Sequence, residues 1–438
     1  MIALVVLAVV FIAYSLVAAR LDRWSITAPM VFVVAGAAIG LFAQDWVGFL
    51  GEPEPVKLIA ELTLSLLLFA DASTLRWGEL REDGVLPARL LLIGFPLTVL
   101  AGFGVALLLE PTAPWAAAAL IAVILAPTDA ALGLGVFTNR SVPGRIRRAL
   151  NVESGLNDGL ATPLVTLFLA FLITQEGAEP ISWVADSVRE LGLALVVALV
   201  VGSACGRMIA LAQTKAWTSP APERFAVLAT AFLSYAAAVA VGGNGFVAAF
   251  VAGLVFSAVS DGKVRESVEF TEDLGLFTSF LVWAIFGALL LAPVLEGGVR
   301  WTPIFYAILS LTAIRMVPVG LSMLGSGLRV SSVLFKGWFG PRGLASVVFT
   351  LISVETLAHE DLVSTPLVEI ATWTVFLSVI LHGVTARPLA RIYGARVADE
   401  PAEQLRTVVP HEDPVPRSLV TRRSETQIDG VDIPHDIN

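Results

Sequence analysis

Apolar runs of about 20 residues recur almost end to end in this chain, and no other feature limits its fold so tightly. They fall near 1–19, 25–43, 55–72, 89–109, 113–137, 147–173, 190–212, 223–241, 244–260, 274–295, 301–325, 334–355 and 367–387, thirteen in all. A helix of that length crosses the hydrocarbon core of a bilayer, about 30 Å thick at about 1.5 Å per residue. The chain is 56% hydrophobic and 15% charged, where a soluble domain is about 25% charged. It reads as an all-α polytopic membrane protein with little soluble mass. Met1–Ala19 has no basic n-region and no clear cleavage site, so it reads as a retained first span rather than a signal peptide. Gly242-Gly243-Asn244-Gly245 reads either as a tight turn between spans or as a break in one long helix.

Loop charges give an orientation. Arg20 and Arg23, Arg76, Arg81 and Arg89, Arg140, Arg145, Arg147 and Arg148, Lys215 and Arg224, Lys263 and Arg265, Arg329 and Lys336, and Arg387 and Arg391 fall in alternate loops. The other loops carry Asp45, Glu52, Glu54, Glu110, Glu176, Glu179, Asp186, Glu296, Glu360 and Asp361. The N-terminus is therefore expected outside and the C-terminus in the cytoplasm, as an odd number of spans requires. After about Arg396 the pattern stops, and the polar, proline-containing remainder reads as a mostly disordered cytoplasmic tail. Trp24, Trp46, Trp77, Trp115 and Trp183 lie near span ends, as an interfacial belt would. The net charge of −9, with no basic domain, gives no sign of a nucleic-acid partner. A single cysteine, Cys205, excludes disulfides within the chain and cysteine metal clusters, and four histidines without a ligand pair argue against zinc or haem.

The run Arg147–Ile173 breaks the apolar rule, because its first half carries Glu153, Ser154, Asn157 and Asp158. An ionisable group at membrane depth costs about 2.5–3.5 kcal/mol by insertion scales, so groups kept there mark function. On a helix Glu153 and Asn157 share one face, and Ser154 and Asp158 share the adjacent stripe. Gly155 and Gly159 flank them and admit a neighbouring backbone.

Two other runs are interrupted. Ala126-Pro127-Thr128-Asp129 stands inside 113–137, and Gly340-Pro341-Arg342-Gly343 stands inside 334–355. Proline removes a donor and blocks the carbonyl four residues earlier. A proline kink with Asp129 capping its second half is the plain reading; a broken helix with free carbonyls around Thr128 is the functional one. Irregular backbone at membrane depth is tolerated only where protein or a water cavity satisfies it. Paired Gly/Pro interruptions in corresponding halves are the best sequence pointer to a transporter site. Arg342 is a fixed positive charge, and facing helix ends of like polarity would need both it and the carboxylate of Asp129. Asp129 is accordingly expected to be held by Arg342 and the helix ends. Arg315, mid-run in 301–325, needs a partner; Glu153 is the natural one, which leaves Asp158 free to titrate. Asp71 closes the run Leu58–Ala72 as either a boundary charge or a member of the ion cavity. Gly36/Gly40 and Gly202/Gly206 read as helix-packing pairs.

Taken together, Glu153-Ser154-Gly155-Leu156-Asn157-Asp158-Gly159 resembles the Asn-Asp motif of the monovalent cation/proton antiporters of the NhaP and NHE type. Pro127-Thr128-Asp129, Arg315, Gly340-Pro341-Arg342-Gly343 and His382-Gly383-Val384-Thr385-Ala386 are similar to further blocks of that family, in the expected order. The resemblance covers about residues 1–395 and, with a tail of only 396–438, is to the prokaryotic branch. It implies two inverted repeats with crossing broken helices and a homodimer. Residues 1–72 and 190–295 would form the dimerisation side, and 89–173 and 301–387 the moving core. It further implies that Asp158 binds cation or proton, with Ser154 and the Thr128 carbonyl as ligands. Asn157 and Asp129 would support the site, and Glu153 would pair with Arg315. Where the family often has a glutamate, this chain has Asp71, one methylene shorter.

The reading that follows is exchange of Na+ (or Li+) for H+ across the cell membrane. The residues imply no cofactor beyond the transported ions, and no partners beyond those ions, the bilayer and a second copy. Sodium wants hard oxygen ligands, and the same carboxylate can hold a proton instead. Asn157 carries no proton, so one carboxylate is free and the exchange is expected to be electroneutral. Potassium in place of sodium, or an uncoupled cation channel, are the rivals. An intramembrane enzyme is disfavoured, since no Gly-x-Ser-x-Gly elbow or HExxH is present.

Overall fold

The computed structural model describes residues 2–42, 53–75, 84–133, 136, 139, 141–173, 180–260, 265–358, 362–363 and 365–398. Asp45, Trp46, Glu52, Arg76, Trp77, Arg81, Arg140, Glu176, Glu179, Lys263, Glu360, Asp361 and the tail beyond Ala398 lie outside them, as do the side chains of Trp183 and Asp186.

Among the described residues every regular element is a helix. In order come α1 (Ile2–Arg23), α2 (Ala28–Phe42), α3 (Pro53–Thr74), α4 (Val85–Leu109), α5 (Trp115–Ile124), α6 (Gly144–Ile173) and α7 (Pro180–Thr214). Then follow α8 (Pro220–Ala240), α9 (Gly245–Ser260), α10 (Glu266–Glu296), α11 (Trp301–Ser322), α12 (Val330–Trp338), α13 (Leu344–Ala358) and α14 (Thr365–Ala398). Among the described residues, eight helices are long and apolar enough to cross a membrane. α2, α5, α9 and α13 are apolar but shorter. α3 carries Glu54, Lys57, Glu61 and Asp71.

Local chemistry accounts for the interruptions. α5 ends at Ile124 and α12 at Trp338, each three residues before its proline, Pro127 and Pro341. The ring would collide with the carbonyl four residues back, and the residue before proline is pushed out of the α region. The turn at Gly242 (φ +77°) settles the Gly242–Gly245 question: it is a tight turn, and Asn244 Oδ1 accepts the Val247 N–H at 3.1 Å to cap α9.

Three departures were not legible in the sequence. α4 widens into a π turn at Leu90–Gly94 and α10 at Phe286–Leu291. Each lies just before a proline, Pro96 and Pro293, and a widened turn makes room for the ring. The run 301–325, expected as one helix, breaks at Thr312 (φ −117°, ψ −95°) and ends at Ser322. The Thr312 hydroxyl bonds the Ile308 carbonyl at 2.6 Å, a contact that bends helices.

α2, α3, α7, α8, α9 and α10 pack on one another, with α9 between α3 and α7 and α2 against the π turn of α10. α4, α5, α6 and α11 form a second set of neighbours, with α14 against α11. α13 contacts α3 across the two sets. Gly36 and Gly40 are packing residues, since a Cβ on either would meet Ala284 or Ala288 of α10 at 2.0 and 2.6 Å. Gly202 and Gly206 serve the same purpose against α9. Trp24 and Trp115 are both exposed, as a belt requires.

Candidate ion site

The site is built on the unwound stretch after α5. Its last carbonyls must find partners outside the helix. The Ile121 carbonyl accepts Leu125 N–H at 3.0 Å, and the Ile124 carbonyl accepts the Ser346 hydroxyl at 2.7 Å. Arg342 Nη1 donates to the Ala126 carbonyl at 2.7 Å and to that of Pro127 at 3.4 Å. Its Nη2 reaches the Ser310 carbonyl at 3.2 Å, just before the Thr312 break in α11.

The second interruption meets the first at this point. Asp129 N–H donates to the Pro341 carbonyl at 2.8 Å, so the two extended segments cross by a backbone bond. Asp129 Oδ2 accepts the Leu344 N–H at 2.9 Å and caps the N-terminus of α13. Only glycine fits at 343, because a Cβ there would lie 2.0 Å from the Asp129 side chain. Each break thus satisfies the other: the arginine of one takes the carbonyl end of α5, and the carboxylate of the other takes the amide end of α13. Of the expectation that Arg342 and the helix ends hold Asp129, the helix-end part is seen in its bond to Leu344. The Arg342 guanidinium also takes the carbonyls of Ala126, Pro127 and Ser310.

α6 supplies the second wall. The Ser154 hydroxyl donates to the Thr128 carbonyl at 2.5 Å and accepts the Ala130 N–H at 2.7 Å. Asn157 Nδ2 donates to Thr128 Oγ1 at 2.8 Å. Side chains of α6 therefore replace the helical bonds that Pro127 removed. One turn away, Arg315 Nη2 lies 2.6 Å from Glu153 Oε1, with both side chains 2% exposed. Gly340 makes room for this pair, since a Cβ there would lie 2.4 Å from Arg315 Nε.

Asp158 is half-buried beside this framework. Its Oδ1 is buried with no hydrogen-bond partner among the described residues, and so is Asn157 Oδ1. Gly155 faces the Asp71 side chain of α3, and the charges of Asp71, Asp129 and Asp158 act on one another. Asp71 stands at the α3 side of this cluster. Buried carboxylate and amide oxygens without donors, next to a freed carbonyl and a hydroxyl, are a chemistry suited to a small hard cation.

Asp158, Ser154, Thr128, Asp129 and Asn157 thus converge on one neighbourhood, which Asp71 reaches from α3. The Thr128 carbonyl and Ser154 hydroxyl, expected as cation ligands, are bonded to each other, so a cation has to take over that bond. Sequence reasoning missed the Ser310 carbonyl, which accepts from Arg342 Nη2, the Ser346 hydroxyl, which donates to the Ile124 carbonyl, and the Ser378 hydroxyl, which accepts the Arg342 N–H at 2.7 Å. A lone serine in an apolar run carries no local mark of a partner more than 30 residues away.

The comparisons agree with this architecture. The family model described as sodium/hydrogen exchanger, transmembrane, matches residues 6–392. The low-affinity Na+/H+ antiporter NhaS1 of Synechocystis is 22% identical over 93% of this chain and 76% of its own length. The Na+/H+ antiporter ApNhaP of Aphanothece halophytica is 24% identical over 77% of this chain, and the K+/H+ antiporter NhaP of Alkalimonas amylolytica 23% over 83%. The matches span only 65% and 62% of those two relatives' lengths. Among solved structures, the sodium proton antiporter MjNhaP1 of Methanocaldococcus jannaschii has the same fold, with a TM-score of 0.74 and 23% identity over 90% of this chain and 99% of that one. A family model that covers nearly all of the helical part, on a chain of this fold, makes it a multi-pass membrane protein of the sodium/hydrogen exchanger family.

Proposed function

We infer that this protein exchanges Na+ or Li+ for H+ by alternating access, with Asp158 holding cation and proton in turn. One observation carries the reading: a carboxylate oxygen without a partner, inside a membrane helix, beside an unwound backbone whose carbonyl a side-chain hydroxyl can release. Cation and proton compete for the same oxygen. An empty, charged site is too costly to carry across the bilayer, so the two fluxes are coupled. Glu153 is neutralised by Arg315 and takes no part in proton transfer. Asp129 is occupied as the cap of α13. With Asp158 as the one carboxylate that exchanges cation for proton, one charge moves each way, which makes the exchange electroneutral.

In this reading the chain has thirteen spans in two inverted repeats. Residues 1–72 and 190–295 face a second copy in a homodimer, and 89–173 and 301–387 move as the core. The N-terminus is outside the cell and the C-terminus, with the tail 396–438, in the cytoplasm. In this orientation Asp71 lies at the cytoplasmic end of α3. Potassium is the second reading, because relatives of similar identity bear K+/H+ as well as Na+/H+ names. Purified protein in proteoliposomes, with an internal pH dye and pulses of Na+, Li+ or K+, decides between them. Sodium- and lithium-driven pH change without a potassium response supports the reading. A potassium response alone replaces the substrate, and cation current without pH change replaces the exchanger by a channel.

A further inference from the structure

His382 is fully buried in α14, and no step of the exchange uses it. It lies against the second interruption. Its Nε2 is 2.8 Å from the Trp338 carbonyl, the last residue of α12, and the ring is 5.2 Å from the Trp338 ring. A carbonyl can only accept, so Nε2 carries a proton. Nδ1 faces Ser378 one turn earlier, 3.3 Å from its hydroxyl and 3.0 Å from its carbonyl. The same Ser378 hydroxyl accepts the Arg342 N–H at 2.7 Å.

These bonds form a continuous path to the ion site. His382 and Ser378 fix both ends of the stretch Trp338–Arg342. Pro341 inside that stretch accepts the Asp129 N–H at 2.8 Å. Asp129 follows Thr128, whose carbonyl and hydroxyl are bonded by Ser154 and Asn157, the neighbours of Asp158. Within the stretch itself the Phe339 N–H still bonds the Phe335 carbonyl of α12 and the Gly340 N–H bonds the Trp338 carbonyl, so His382 and Ser378 tie to α14 a segment whose own bonds end at Gly340. The ring donates from Nε2 to the Trp338 carbonyl and accepts at Nδ1 from the Ser378 hydroxyl, two bonds on opposite sides that no aliphatic side chain of its size could make.

We propose that His382, with Ser378, is a positioning residue for the cation site: it locks the unwound stretch of the second interruption and so sets where the Thr128 carbonyl stands relative to Asp158. The proposal rests on the assignment of Asp158 as the exchanging carboxylate. Its effect is on the fit of the cation cage, because a displaced carbonyl weakens cation binding while the proton needs only the carboxylate.

The test is Na+-dependent exchange in proteoliposomes over a sodium series at several pH values, with thermal unfolding in detergent alongside. His382→Ala should raise the apparent KM for Na+ about tenfold at fixed pH and change maximal rate less. His382→Gln, which can place an N–H near the Nε2 position, should recover most of the affinity; His382→Asn, which reaches only the Nδ1 position, should not. Ser378→Ala should raise KM in the same direction, and the double variant Ser378→Ala/His382→Ala should be no worse than the more impaired single one. Should His382→Ala fail to fold, Ser378→Ala and the Gln/Asn contrast carry the same prediction. A lower melting temperature with unchanged KM, or equal KM in the Gln and Asn variants, would overturn the proposal. Asp158→Asn run in parallel separates the two readings: exchange surviving there removes the Asp158 assignment, whereas its loss with a normal KM at His382→Ala removes only this one.

Discussion

The Arg315–Glu153 pair allows the structure to be tested in energetic terms. The charged atoms are 2.6 Å apart, and both side chains are 2% exposed. At an effective dielectric near 20, unit charges at that distance attract by about 6 kcal/mol. Burying them costs several kcal/mol each, so the intact pair is worth little against an apolar one. The imbalance appears when one member is removed, because the survivor keeps its desolvation cost without its partner. Glu153→Gln and Arg315→Gln should each cost about 3–5 kcal/mol, and the double variant should cost at least about 2 kcal/mol less than the sum of the singles. Gly340 adds a third leg to the cycle. A Cβ there would lie 2.4 Å from Arg315 Nε, so Gly340→Ala should damage the native protein but be better tolerated with Gln at 315. The assay is thermal unfolding of purified protein in detergent, with the yield of the folded peak from size-exclusion chromatography as a second measure. Double-variant losses equal to the sum of the singles would refute the pairing argument. Equal damage from Gly340→Ala in both backgrounds would refute the steric one.

Asp158→Asn should abolish exchange in proteoliposomes while the protein elutes and melts like wild type; wild-type transport by a folded Asp158→Asn protein would end the proposed mechanism. Gly343→Ala drives a methyl group to 2.0 Å from the Asp129 side chain and should force the two interruptions apart. Loss of sodium-dependent exchange is expected there, and normal kinetics would show that the crossing is not needed. Electroneutral coupling predicts that a potassium diffusion potential set by valinomycin, at equal pH and sodium on both sides, produces no sodium uptake. A potential is worth about 2.3 kcal/mol per charge per 100 mV, so uptake that follows voltage would point to a second proton carrier such as Asp129.

Much of this architecture was legible because its causes are local or costly. A run of 20 apolar residues needs no partner to declare a span. Pro127 and Pro341 end helices through their own rings, and both breaks fall where the sequence places them. A buried arginine demands acceptors, and with Arg315 and Glu153 each deep in an apolar run the opposite charges identified the pair. Thr312 and the π turns before Pro96 and Pro293 escaped notice, because a threonine or a proline at those places is equally compatible with a plain helix. The reciprocal capping at the crossing was beyond the sequence altogether. Asp129 and Arg342 were visible as charges needed near facing helix ends, but which end each would take depends on bonds across 215 and 216 residues of chain. A carboxylate accepts from whichever amide packing brings to it, and a guanidinium donates to whichever carbonyl. Residue type sets the kind of partner, and only the tertiary approach of the two breaks selects the atom.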